Sequence, residues 1–247
     1  MKKNIGILDS GIGGVTVLNE ILKLLPNYNY IYYSDSINNP YGDKNTKLVI
    51  QYIDNIVNFL IDKECNIIVF ACNTATALTI DIMREKYKDI EFIGIEPAYK
   101  MVHDYNKDKK TLVMATPATI NSKRFLKLYH DYDNENTILL ECPNLASLIE
   151  NNNIDKVLEY LKEKLPISEN IEVVVLGCTH YPLIKKEISS ILGKVTFYDG
   201  SVGVARRLKT LLDNDEIDED NNKGMISFYD SSNDSKKEKR FFELLKK

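Results

Sequence analysis

A strand-and-turn unit that occurs twice restricts this chain more than any other feature. The stretch VVVLGCTHYP (173–182) opens with four apolar residues, three of them β-branched, and reads as a buried strand. Gly177 breaks the run, Cys178, Thr179 and His180 follow, and Pro182 marks the start of an expected helix. IIVFACNTAT (67–76) has the same layout: an apolar strand, a small residue, Cys72, then Asn73 and Thr74. IGILDS and LVMATP end strands at Asp9 and Thr116, YIYYSD and TILLEC end them at Asp35 and Cys142, and FIGIEP and VTFYDG align at 92 and 195. The offset stays near about 105 residues and the order is kept, which is the pattern of a repeated unit. A lone cysteine at a strand end is ordinarily a packing residue. One at the same place in both copies asks for a chemical reason.

Between these strands lie amphipathic stretches. Val49, Ile53, Ile56, Val57 and Leu60 keep the spacing of one helical face, as do Val157, Leu158, Leu161 and Leu165 after a cap at Asn153. Buried strands alternating with helices predict parallel sheets joined by right-handed crossovers. The expected fold is therefore α/β: two similar doubly wound domains with parallel sheets, related by a pseudo-twofold, with the active site in the cleft between them. The first domain is expected over 1–97 plus 206–247 and carries Cys72; the second, over 98–205, carries Cys178. The acidic, Asn-rich stretch 213–222 is expected as a surface loop, and MISFYD with the helix at 236–246 is expected to return to the first domain.

The 247 residues, 44% hydrophobic and 28% charged, suit a water-soluble globular protein. No apolar run approaches the ~20 residues needed to span a bilayer. The N-terminus breaks at Asp9 and is not read as a signal peptide, so the cytoplasm is the expected compartment. A net charge of −4 argues against nucleic acid as a partner. The four cysteines (65, 72, 142, 178) show no CxxC spacing and the three histidines (103, 130, 180) are far apart, so no metal site is expected.

In open parallel sheets ligands bind beyond the carboxyl ends of the strands. Asp9, Asp35, Cys72, Thr116, Cys142 and Cys178 all stand at such ends. The glycine-rich DSGIGG (9–14) lacks the Lys-Ser/Thr of a phosphate loop and is out of register with GxGxxG. A loop with free backbone N–H groups at a helix start also holds a carboxylate. Two thiols across one small anionic ligand suggest two-base proton transfer at carbon, one removing a proton while the other delivers one to the opposite face. A thiol ionises only partly at neutral pH, so neighbours must assist: His180 for Cys178, and Asp9 in a matching part for Cys72.

At these residues the sequence resembles the glutamate racemases, cofactor-independent enzymes that supply D-glutamate for peptidoglycan. ILDSGIGG, NPYG, ACNTAT, IEPA, TPATINS and LGCTHYP stand in that family's order and spacing over almost the whole chain. The resemblance implies Cys72 and Cys178 as the two acid/base residues, the first serving D-glutamate and the second L-glutamate, with Asp9 and His180 assisting. It implies substrate binding by Asp9, Ser10, Tyr41, Gly42, Asn73, Thr74, Thr179 and His180. Asp35, Thr116, Thr119 and Glu150 fall to supporting roles, and Cys65 and Cys142 match no catalytic position. It implies no cofactor and no metal, and L- and D-glutamate as small-molecule partners; it allows a homodimer. In YDGSVGVARR, Gly200 stands where the family more usually has Asp, a departure that bears on capping of the next helix.

Three rival readings remain in view. A related racemase acting on aspartate or another acidic substrate would share the thiols and differ in pocket depth. A binding module would leave paired cysteines at equivalent strand ends without a purpose. A thiol redox protein would need cysteines closer in sequence.

Overall fold

The computed structural model of the protein describes residues 3–132, 135–212 and 223–245; the expected loop at 213–222 lies outside them. In chain order the elements are β1 (Asn4–Asp9), α1 (Val15–Leu24), β2 (Asn29–Ser34), α2 (Thr46–Asp62), β3 (Cys65–Phe70), α3 (Asn73–Lys86) and β4 (Glu91–Gly94). Then come α4 (Tyr99–Tyr105), β5 (Thr111–Ala115), α5 (Pro117–Ile120), α6 (Lys123–Tyr132), β6 (Thr137–Glu141), α7 (Leu145–Glu150) and α8 (Ile154–Lys164). The last are β7 (Val173–Gly177), α9 (Lys185–Leu192), β8 (Thr196–Asp199), α10 (Ser201–Leu212), β9 (Ile226–Asp230) and α11 (Ser235–Leu245).

Among the described residues the strands form two sheets, ordered β4-β3-β1-β2-β9 and β8-β7-β5-β6. Every pairing is parallel. The first four strands of each half thus occupy the same order, and the repeat seen in sequence is a repeat of topology. Each sheet is packed on both faces. Ile5, Ile7, Val69 and Ile93 meet α1, α10 and α11 on one side of the first sheet, while Leu8, Ile68 and Phe70 meet α2 and α3 on the other. The second sheet is covered by α7, α8 and α9 on one face and by α4 and α6 on the other. Burial on both faces is why these strands read as continuous apolar runs.

β9 adds to the outer edge of β2, with Tyr30 opposite Ile226. The boundary expected between 205 and 206 falls inside α10, and Val204 and Ala205 lie in the first core with Leu208 and Leu212. Gly200, at the start of that same helix, packs directly against the first half, where an added Cβ would overlap the Glu96 carbonyl oxygen. Asp199 takes over the cap, its Oδ1 accepting from the Ser201 N–H at 3.1 Å.

Pro182 does not open an α-helix directly. Residues Tyr181–Ile184 form a 3₁₀ turn before α9 begins. The Tyr181 N–H donates to the Cys178 carbonyl at 3.1 Å and Leu183 to that of His180 at 3.0 Å, a tight winding that holds His180 at the strand end.

Candidate active site

The carboxyl ends of β1, β3, β5 and β7 bring the chemistry-bearing side chains together. Asp9, the last residue of β1, is fully buried. Its Oδ2 accepts from the Gly14 N–H at 3.0 Å and the Gly11 N–H at 3.3 Å, and its Oδ1 from the Thr179 hydroxyl at 3.2 Å. The β1–α1 loop is thereby wrapped around a carboxylate and tied to the other half of the molecule. Burial pushes the Asp9 carboxyl up to about 6, aided by the charge of Glu150 and opposed by His180 and the loop N–H groups.

Cys72 caps α3, its Sγ accepting from the Ala75 N–H at 3.5 Å, and Ser10 Oγ lies 3.7 Å from the same sulfur. Cysteine at an N-cap is an unusual choice, and here it aims the thiol along the helix start. Burial, then the neighbouring charge of Asp9, push this thiol up to about 12; a charge at Cys178 adds to the shift, and the Ala75 N–H offsets only part of it. The assistance expected from Asp9 takes another form: the hydroxyl of Ser10 is the side chain that meets Cys72, while Asp9 is bonded to the loop and to Thr179.

Cys178 occupies the matching position beyond β7, with His180 Nδ1 3.9 Å from its sulfur. His180 Nε2 meets Glu150 Oε2 at 2.6 Å, and that oxygen also accepts from the Ile12 N–H at 3.1 Å. Burial opposes charge on this imidazole, but its contacts with Cys178 and Glu150 prevail and hold its protonation well above the ordinary histidine range. Glu150 shows the converse balance: burial raises it, and His180, Ile12 and Lys237 bring it below the ordinary range. The two form a buried pair in which each favours the charged form of the other. Gly11 and Gly13 make room for it, since a Cβ on Gly11 would stand 2.6 Å from Glu150 Oε2 and one on Gly13 2.5 Å from His180 Nδ1.

A ring of hydroxyls joins the halves. Thr74 Oγ1 lies 2.9 Å from Thr116 Oγ1 and 3.3 Å from Thr119 Oγ1, and the latter two are 3.0 Å apart. Gly42 follows Tyr41 in a short turn that packs against this ring, where a Cβ would meet Thr116 Cβ at 3.0 Å. The Tyr41 hydroxyl donates to Asp35 Oδ2 at 2.6 Å, and Asn38 binds the same carboxylate. Asp35 therefore orients the turn. Asn73 is buried with both amide atoms unpartnered among the described residues. Asn39 has the same property and its Nδ2 lies 2.5 Å from the point a Gly11 Cβ would occupy. Sequence reasoning missed Asn39 as an individual residue, although NPYG carried it.

Cys65 and Cys142 are buried, Cys142 in the same apolar core as Cys178 and beneath Tyr181, whose hydroxyl donates to its carbonyl. Among the described residues no group of three His, Cys, Asp or Glu side chains is placed to hold a metal ion. No described helix is long and apolar enough to cross a membrane.

Residues 27–207 match the family model described as Asp/Glu/Hydantoin racemase. A glutamate racemase of Clostridium botulinum (strain Alaska E43 / Type E3) is 41% identical, the match covering 100% of this chain and 97% of that protein. A crystal structure of a glutamate racemase from Bacillus anthracis superposes with a TM-score of 0.85 at 32% identity, covering 99% of this chain and 94% of that one. The glutamate racemase of Francisella tularensis, solved in complex with D-glutamate, gives a TM-score of 0.83 at 32% identity, covering 100% and 94%. With thiols at matching strand ends, shared topology and likeness along its whole length, this chain belongs to the glutamate racemases of the Asp/Glu/Hydantoin racemase family.

Proposed function

We propose that the protein interconverts L- and D-glutamate by proton transfer between Cα and two cysteine thiols, without a cofactor, and so supplies D-glutamate for peptidoglycan. The observation that carries this reading is the pair Cys72 and Cys178, at equivalent ends of β3 and β7, with the unpartnered amide of Asn73 beside them. With L-glutamate bound, Cys178 as thiolate takes the Cα proton and the Cys72 thiol delivers its own to the opposite face, leaving Cys178 as thiol and Cys72 as thiolate; D-glutamate runs the same steps in reverse. Cys72 is poised as the acid, since its buried surroundings favour the thiol. Protonated His180, 3.9 Å from the other sulfur, balances negative charge as it forms there.

The remaining residues orient the ligand. Asp9 and Ser10 suit the substrate ammonium, whose charge in turn eases ionisation of Cys72 when that thiol must act as base. The hydroxyls of Thr74, Thr116, Thr119 and Thr179, the Asn73 amide and the N–H groups at the start of α3 suit carboxylates. The turn at Tyr41 and Gly42 closes the same pocket. Cys72 and Cys178 are 6% and 8% exposed, so glutamate reaches them once the two halves part.

The test is the decay of optical signal from L-glutamate and, separately, L-aspartate after exhaustive dialysis. Racemisation of glutamate at a kcat/KM well above that for aspartate is the expected result. A preference for aspartate, or activity restored only by added pyridoxal phosphate, would overturn the proposal.

A further inference from the structure

The Glu150–His180 pair is held from outside the active site by a helix of the opposite half. α11 is anchored on the first sheet through Phe241, fully buried with its ring 4.5 Å from both Tyr32 and Phe228. From the same helix Arg240 reaches the second half. Its Nη2 donates to the Ile149 carbonyl at 2.8 Å and its Nη1 to the Glu150 carbonyl, the two last residues of α7. One turn earlier, Lys237 Nζ lies 3.8 Å from Glu150 Oε1, a buried oxygen without a hydrogen bond among the described residues. Glu150 Oε2 is the atom that meets His180 Nε2 and the Ile12 N–H.

We infer that Arg240 and Lys237 are positioning residues of the reaction: they fix the end of α7 so that Glu150 holds His180 against Cys178. The inference rests on the racemase reading above for the role of Cys178. The physical grounds are three. α7 has only six residues, starts at a left-handed Asn144 without a side-chain cap, and is too short to be stable by itself. Its last carbonyls, where the helix dipole favours a cation, are bound by the Arg240 guanidinium. A buried carboxylate needs all its lone pairs compensated, and Lys237 stands 3.8 Å from the oxygen other than the one His180 meets. Loss of either cation lets the carboxylate turn or α7 fray, and displacement of a reacting group by about 1 Å costs about 100-fold in rate.

The titratable groups facing the pair are Cys178, Asp9, Tyr32, Lys237 and Arg240, and the test must separate their effects from general unfolding. R240M, R240K and K237M are compared with wild type in three measurements. These are kcat/KM for both glutamate enantiomers against pH, thermal unfolding, and the pH dependence of Cys178 alkylation by iodoacetamide in a C72A background. The expected result for R240M is a fall of about 10- to 100-fold in kcat/KM, equal in both directions because enantiomers have an equilibrium constant of unity. R240K should recover most of it, K237M should lose less than R240M, and the alkylation profile should move in both Met variants. Wild-type kinetics in R240M would overturn the inference. So would a lowered melting temperature with an unmoved alkylation profile, which is what a merely structural role produces. Absence of glutamate turnover in the wild type would instead sink the proposed function, while the alkylation profiles would still decide whether α11 positions His180.

Discussion

The ends of β3 and β7 hold the same residue in the same place and give it different company. At β3, Cys72 caps a regular helix, with a backbone N–H and the Ser10 hydroxyl at its sulfur and the Asp9 carboxyl nearby. At β7, Cys178 precedes a 3₁₀ turn that swings His180 back to its sulfur, and Glu150 stands behind the imidazole. One thiol is surrounded by acidic and neutral groups and the other by a cation. The difference teaches that a duplicated scaffold does not make a symmetric active site. Glutamate enantiomers are mirror images, but under the proposed function each thiol would meet Cα in its own setting.

The largest expected effect tests what the two ends share. Cys72→Ala and Cys178→Ala should each lower racemisation at least about 1,000-fold in both directions, about 4 kcal/mol of barrier, because every turnover of the proposed two-thiol reaction uses both sulfurs. The optical assay checks this, and a fully active Cys178→Ala enzyme would break the pairing. In heavy water, L-glutamate should yield D-glutamate carrying deuterium at Cα, while early unreacted L-glutamate stays largely unlabelled. Retention of the original hydrogen in the product would point to one base serving both faces.

Next in size is the effect of pH on Asp9, which lies between the two ends. Its carboxyl is raised from 3.8 to about 6, so the folded state binds more protons than the unfolded one in that window. Its contribution to stability therefore falls as pH rises from about 4 to 6, by about 3 kcal/mol over the shift. Asp9→Asn removes the titration. Urea unfolding at several pH values should show the variant gaining on wild type across this window and holding level above it; a constant difference would show that Asp9 is not buried in this way.

The contrast itself is tested by unequal partners. His180→Asn should cost about 100-fold in kcat/KM and Ser10→Ala about tenfold, since a charged partner is worth more than a neutral one in a buried site. Equal losses would mean that the two settings differ in structure but not in function. The smallest effects belong to the other two thiols. Cys65→Ala and Cys142→Ser should keep kcat/KM within about tenfold and lower stability by about 1 kcal/mol, because both thiols are core-packed and donate to nearby backbone carbonyls, those of Lys63 and Leu140.

Much of this was legible in the chain because it is local. Apolar runs ending at Asp9, Cys72, Thr116 and Cys178 announce strand ends, and in parallel sheets strand ends are where ligands bind. The recurrence of those ends in order carried the repeated sheet topology. Local signals were weaker where two backbone solutions compete: Pro182 suits a 3₁₀ turn as well as an α-helix, and the domain crossing depends on how closely Gly200 approaches Glu96.

The amino-acid sequence by itself determined which residues stand at the strand ends, because β-branched runs, glycines and caps act over a few residues. Tertiary structure alone decided which of them meet. Glu150 reaches Ile12 and His180, Thr179 reaches Asp9, and Arg240 reaches the end of α7 across long separations in the chain. No periodicity encodes such contacts. They form because two sheets buried on both faces dock with their carboxyl edges together, and buried polar groups must then find partners wherever the packing puts them.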